Sequence, residues 1–236
     1  MGESTDSILR RARSLPSRRW YGLMRALHER FTAKLLPVFL VSVILVPAAW
    51  SEAIRIPAAA ALCDSCHGLG GAGLVSMNAP RLAGLQASYL ERQLRDFKEG
   101  VRGGHADDIY GAQMRVIAGT LETDAAIHEA AGFFASLHPG QSALTLTEGA
   151  VDRGEALYSV CAPCHGSSGE GMEATHAPRL RGADDWYLLR QLRNFRAGIR
   201  GGDPRNASAQ SMRAIALSLP DEQALRDLAA YLASLK

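Results

Sequence analysis

From about residue 54 onward the apolar side chains recur at helical spacing, and no stretch alternates long enough to read as a strand. Leu90, Leu94 and Phe97 fall at i, i+4 and i+7, and Leu188, Leu192 and Phe195 repeat the stripe. A 3.6-residue period places each set on one face of a helix. Both stripes end at a glycine, Gly100 or Gly198, the residue type that most readily leaves a helix. Further helices are predicted over 125–137 and 224–235, where Leu225, Leu228, Leu232 and Leu235 form one face, with Thr123 and Asp221 as caps. The run His138-Pro139-Gly140-Gln141-Ser142 interrupts the pattern and opens a linker. The expected fold is all-α.

The pattern is duplicated. A shift of 98 residues aligns Ala79-Pro80-Arg81-Leu82 with Ala177-Pro178-Arg179-Leu180, Arg92-Gln93-Leu94-Arg95 with Arg190-Gln191-Leu192-Arg193, and Arg102-Gly103-Gly104 with Arg200-Gly201-Gly202. Between positions 63 and 114, 23 of 52 residues are identical to their partners, without a gap. The period is too long for a solenoid and close to a small whole domain. It divides the chain into a domain over 54–138, a linker over 139–149 and a domain over 150–236. Each copy is small for a self-sufficient core, so an apolar prosthetic group is expected to fill part of it.

The four cysteines all fall in one repeated motif, Cys63-Asp64-Ser65-Cys66-His67 and Cys161-Ala162-Pro163-Cys164-His165. C-x-x-C-H reads as covalent attachment of a c-type haem. Two thiols at this spacing reach the two vinyl groups of one porphyrin, and the adjacent histidine lies under the iron as its proximal ligand. A structural zinc site would want its two cysteine pairs about 15–20 residues apart, and a thioredoxin-like dithiol would want a βαβ setting. Ordinary disulfides remain open as a use of four cysteines, but they leave the histidine after both pairs unexplained. Two haems c are expected, held by Cys63, Cys66, Cys161 and Cys164.

What such irons do depends on the ligand opposite the histidine: a thioether closes the iron and raises its potential, whereas an open side admits small molecules. Of six methionines, only Met114 and Met212 repeat, each 47 residues after its motif histidine. Gap-filling in a core is the usual role of a methionine, but the matched distance favours ligation. The expected iron ligands are therefore His67 with Met114 and His165 with Met212. Arg102 and Arg200, like Arg81 and Arg179, would pair with haem propionates or be solvated at the surface. His105, His128, His138 and His176 have no aligned histidine and are expected to be solvated or capping residues, although His176 stands near Pro178.

The first 53 residues hold eight basic and four acidic side chains, then an apolar stretch over 35–50, then Ser51-Glu52-Ala53. This fits a secretory signal peptide with a long basic leader. An uncleaved anchor is the competing reading, but the apolar stretch has 16 residues, interrupted by Pro37 and Pro47, and a span wants about 20. Ser17-Arg18-Arg19 resembles a twin-arginine signal only faintly. Residues 54–236 carry 18 basic and 20 acidic side chains, a net charge of −2, so no basic nucleic-acid-binding surface is indicated. Export to the periplasm follows, with peripheral membrane association left open.

These motifs, with Tyr-Leu-x-x-Gln-Leu-x-x-Phe-x-x-Gly in both copies and a lone distal methionine in each, resemble the di-haem class I cytochromes c of the cytochrome c4 type. The resemblance covers 54–236. It implies a cytochrome c fold for each half, His/Met ligation at both irons, and a hydrogen bond from each proximal histidine to the carbonyl of Pro80 or Pro178. It also implies periplasmic one-electron transfer between redox proteins, a membrane cytochrome complex, a terminal oxidase or a dehydrogenase; a second version of the same chemistry makes the chain the cytochrome subunit of that dehydrogenase. Substrate chemistry is not expected. The alternative is a peroxidase-like or sulfur-oxidising haem enzyme with one exchangeable distal ligand. One departure stands out. Gly154-Glu155-Ala156-Leu157-Tyr158 precedes the second motif as a first helix, while only Ile56-Pro57 and a run of alanines precede the first. The first domain is therefore expected to unfold more readily.

Overall fold

The computed structural model describes residues 55–142 and 144–235. The expected leader, 1–53, lies outside the described residues. Residues 55–236 form one compact unit, built from helices α1 (Ala58–His67), α2 (Ala87–Lys98), α3 (Ile109–Gly119), α4 (Asp124–Ser136), α5 (Val151–Leu157), α6 (Ala162–His165), α7 (Asp185–Ala197), α8 (Ala207–Ser218) and α9 (Glu222–Ser234). Among the described residues, extended pairing is confined to two isolated antiparallel bridges, Leu74 with Ala79 and Met172 with Ala177. The all-α expectation holds.

The stripes do what their period requires: Leu90 and Phe97 of α2 and Leu188 and Phe195 of α7 are buried. α7 ends at Gly198 in a left-handed conformation, φ 78°, and α2 gives way to Gly100 at φ 73°. Thr123 accepts a hydrogen bond from the Ala126 amide at 3.1 Å, and Asp221 from that of Ala224 at 2.8 Å, so both expected caps form. Sequence periodicity did not reveal α3 and α8. Each buries only small residues, Gly111 and Ala118 or Ala216, and leaves Val116 and Leu217 exposed. Their visible signals were the caps, Asp108 accepting from Gly111 at 3.0 Å and Asn206 from Ala209 at 2.8 Å.

The two halves are not equally built. In the second, α5 crosses α9 so closely that a Cβ at Gly154 would run into the Asp227 carbonyl and stand 2.6 Å from Tyr231 Cβ. The buried Asp227 carboxylate ties the crossing together, accepting from the Ala150 amide at 2.8 Å, Arg153 Nε at 2.7 Å and Gln223 Nε2 at 2.9 Å. Tyr158 packs on Tyr231 with ring centroids 5.5 Å apart and donates to the Gly166 carbonyl at 2.6 Å. Among the described residues the first half has no helix ahead of α1. On α4 the position aligned with Ala230 is Gly132, where a Cβ would meet nothing within 4 Å, and Phe133, aligned with the buried Tyr231, is half-buried. Fewer buried contacts mean cheaper local opening. Amide exchange in α4 is expected to be about tenfold or more faster than in α9, a difference of about 1.4 kcal/mol in opening free energy. Equal protection in the two helices, read by exchange mass spectrometry on the holoprotein, would contradict this.

The halves meet through contacts that come in pairs related by the same 98-residue shift. Arg92 Nη2 donates to the His176 carbonyl and Arg190 Nη2 to the Asn78 carbonyl, both at 2.9 Å. Arg102 reaches Gln93 at 2.7 Å, Tyr187 at 2.8 Å and Gln191 at 3.2 Å, and Arg200 reaches Gln191 at 2.8 Å, Gln93 at 2.8 Å and Tyr89 at 3.2 Å. Each guanidinium also lies over a phenylalanine of its own half, Arg102 on Phe97 and Arg200 on Phe195, at 4.4 and 4.6 Å. Free surface solvation, one of the two readings of these arginines, is therefore replaced by a shared polar junction between the halves.

Candidate functional site

The first C-x-x-C-H motif ends helix α1, and the second, with Cys161 at the N-cap, makes up the whole of the one-turn helix α6, so in both the cysteines and histidine project from helical backbone. The chain then leaves through a glycine at positive φ, Gly68 at 76° or Gly166 at 84°. Two contacts fold the following loop back: Gly73 N to His67 O at 2.7 Å, and its counterpart Gly171 N to His165 O at 2.8 Å. The bridges at Leu74 and Met172 then return the chain through Asn78 and His176, both left-handed, at φ 54° and 57°. The outcome is a proline carbonyl held against each histidine.

His67 Nδ1 lies 2.6 Å from the Pro80 carbonyl, and His165 Nδ1 lies 2.9 Å from that of Pro178. A carbonyl only accepts, so Nδ1 carries the proton in both rings and Nε2 is left with a bare lone pair. Both rings are buried, 4% and 3% exposed. Burial pushes both pKa values down; at His67 it is opposed by the Pro80 bond, Asp184 and Asp64, at His165 by the Pro178 bond alone. Neutral imidazole is the form that binds a metal.

What Nε2 faces decides the chemistry. At the second site it stands 3.5 Å from Met212 Sδ. With Nδ1 the donor, both atoms bring lone pairs to this contact and neither brings a proton, an arrangement that suits an electron-accepting centre bound by both. At the first site Nε2 of His67 is buried and has no hydrogen-bond partner; Met114 is half-buried on α3. The structure therefore brings His165 and Met212 together and leaves His67 a lone pair without a proton donor.

The thiols agree. All four cysteines are free, and burial first of all pushes Cys63 and Cys161 up to about 11. Thiols kept protonated at neutral pH fit a thiolate zinc site poorly, and among the described residues no cluster of His, Cys, Asp and Glu could hold a metal ion by itself. The remaining histidines stand apart from this geometry. His128 Nδ1 meets Glu91 at 2.7 Å, His105 lies beside Asp107, His138 is exposed, and His176 occupies its turn, its carbonyl bound by Arg92. Arg81 and Arg179 send their guanidinium groups to carbonyls, of Pro139 and Arg181.

Two residues near the histidines went unnoticed in the sequence. The Arg81 amide, on the same peptide unit as the Pro80 carbonyl, donates to Asp184 Oδ2 at 2.8 Å, and the Arg179 amide donates to Gln86 Oε1 at 2.9 Å. Asp184 and Gln86 occupy aligned positions, each reaching from one half into the other. Their differing residue types hid the pairing.

The cytochrome c family profile matches residues 151–236. A cytochrome c4 of Azotobacter vinelandii is 33% identical over 174 residues, covering 69% of this chain and 80% of that protein. A thiosulfate dehydrogenase electron acceptor of Stutzerimonas stutzeri is 34% identical, over 66% of this chain and 73% of that one. The solved structure of cytochrome c4 from Acidithiobacillus ferrooxidans superposes with a TM-score of 0.61 at 31% identity, over 73% of this chain and 98% of its own. Repeated haem-attachment motifs, an all-helical unit and these relatives agree on two covalently bound haems c, and the chain belongs to the cytochrome c4 family of di-haem electron-transfer proteins.

Proposed function

We propose that the chain carries electrons singly between redox proteins in the periplasm, without substrate chemistry of its own. Haem c supplies a ferric/ferrous couple. Cys63 and Cys66 would anchor the first group and Cys161 and Cys164 the second; His67 with Met114, and His165 with Met212, would ligate the irons, and Pro80 and Pro178 orient the histidine rings. The domains are 54–138 and 150–236, joined by 139–149, behind an export leader over 1–53. No described helix is long and apolar enough to cross a membrane. The observation that carries this reading is the meeting of His165 Nε2 and Met212 Sδ at 3.5 Å, two lone-pair donors that would both bind an iron held at this site. The name of the Stutzerimonas stutzeri relative favours a dehydrogenase as electron donor.

Carbon monoxide tests the reading. The dithionite-reduced holoprotein is expected to bind none at either haem at neutral pH, because both irons keep a methionine. Stoichiometric binding at one haem would instead support a ligand-exchanging enzyme.

A further inference from the structure

Asp184 and Gln86 each stand at the N-terminal cap position of a helix, α7 or α2, yet neither side chain caps it. Asp and Asn are strongly preferred caps because they satisfy amides that a helix leaves free. Both residues instead cross to the other half and take an amide beside its proximal histidine. Room for this is made by glycines: a Cβ at Gly73 would stand 3.0 Å from Asp184 Oδ2, and one at Gly171 would strike the Gln86 amide. These glycines are aligned, at φ 88° and 84°.

At the first site the connection is continuous. His67 Nδ1–H donates to the Pro80 carbonyl; the same peptide unit donates its N–H, at Arg81, to the carboxylate of Asp184. A charged acceptor polarises the peptide and makes its carbonyl a stronger acceptor in turn. The second site has the same chain with a neutral end, Gln86. The histidine-to-carbonyl distance follows the charge, 2.6 Å where the relay ends in Asp184 and 2.9 Å where it ends in Gln86.

We propose that Asp184 is a positioning residue for the first haem: reaching across from the second half, it strengthens electron donation from His67 through the Pro80–Arg81 peptide. It thereby holds the first iron at a lower potential than the second, where Gln86 makes the same contact without charge. The inference rests on the ligand assignment above and adds the cause of an inequality between the two sites.

The surroundings point the same way. Among the described residues, Asp184 Oδ1 accepts only from Ser142 Oγ, at 2.9 Å, and no cation lies within ion-pair distance of the carboxylate. Arg81 has its counterpart in Arg179, so that charge is common to both sites. Asp64, within the first motif, aligns with Ala162 and favours ferric iron at the first site, and Arg181, near the second, aligns with Ala83 and favours ferrous iron at the second. Glu170, which aligns with Ala72, opposes the trend but is exposed. Asp185 is turned to the linker, where it accepts from Thr145 and Leu146.

The test is spectroelectrochemical titration of the full-length holoprotein, with the second haem identified through the Met212→Ala variant. Asp184→Asn is expected to shift the first haem about tenfold toward the ferrous form, which is 59 mV for one electron, and to move the second much less. Asp184→Glu should return most of the shift. Gln86→Glu should lower the second haem's potential, and this variant carries the test if Asp184→Asn fails to fold. Two well-folded variants that leave both potentials in place, or move them together, would overturn the inference. Failure of the ligand assignment is distinguishable, since it would show in the unsubstituted protein as a first haem that binds carbon monoxide.

Discussion

In the Met212→Ala protein the second haem is expected to bind carbon monoxide when reduced, and its potential is expected to fall by on the order of 0.1 V, within the roughly 0.8 V range that axial ligands span. The reasoning starts from Sδ at 3.5 Å from His165 Nε2. Thioether ligation favours ferrous iron and so raises the potential; alanine removes that preference and leaves a coordination position for solvent or gas. Among the described residues no neighbouring histidine is set to replace it, because His176 is held in a left-handed turn with its carbonyl bound to Arg92. Met212 lies on α8, which buries only Ala216, so the fold should survive the truncation. An absorption spectrum and potential equal to those of the parent, with no carbon monoxide binding, would remove Met212 from the site. Met114→Ala should act likewise on the first haem.

The motifs and the repeat made this site readable because its chemistry is local. Cys63, Cys66 and His67 are defined by spacing within one helical turn or so, and Met114 and Met212 by an offset that duplication copied. Helices with a large apolar face, α2, α7 and α9, were equally plain. α3 and α8 were not, since their inward residues are glycine and alanine and their larger apolar side chains point outward. What no local reading could supply was the junction. Arg102, Arg200, Gln93 and Gln191 match across the repeat, but that each bridges to the opposite copy depends on how the halves dock. The same holds for Asp184 and Gln86. Without the docked structure they are two unlike residues before a helix, and only their contacts with Arg81 and Arg179 give them a common role.

Gly154→Ala is expected to destabilise the second half by about 3 kcal/mol, near the upper end of the usual overpacking penalty, and to lower its thermal midpoint by roughly 12–24 °C, taking about 4–8 °C per kcal/mol for a domain the size of one half. The added methyl would meet the Asp227 carbonyl and Tyr231 Cβ, backbone and branch-point atoms that no rotamer change can withdraw. Relief requires α5 to move off α9, which would also lengthen the bonds from Ala150 and Arg153 to the Asp227 carboxylate and leave a buried charge short of partners. Gly132→Ala supplies the opposite sign in the first half. A Cβ at Gly132 meets nothing within 4 Å, the aligned residue of α9 is already Ala230, and replacing a mid-helix glycine should stabilise by about 0.5–1 kcal/mol. Both variants can be followed in the holoprotein by thermal unfolding with helical circular dichroism and haem absorbance. If Gly154→Ala melts within a degree or two of the parent, α5 does not cross α9 at Gly154, and the account of why the second half is the more firmly built one fails with it.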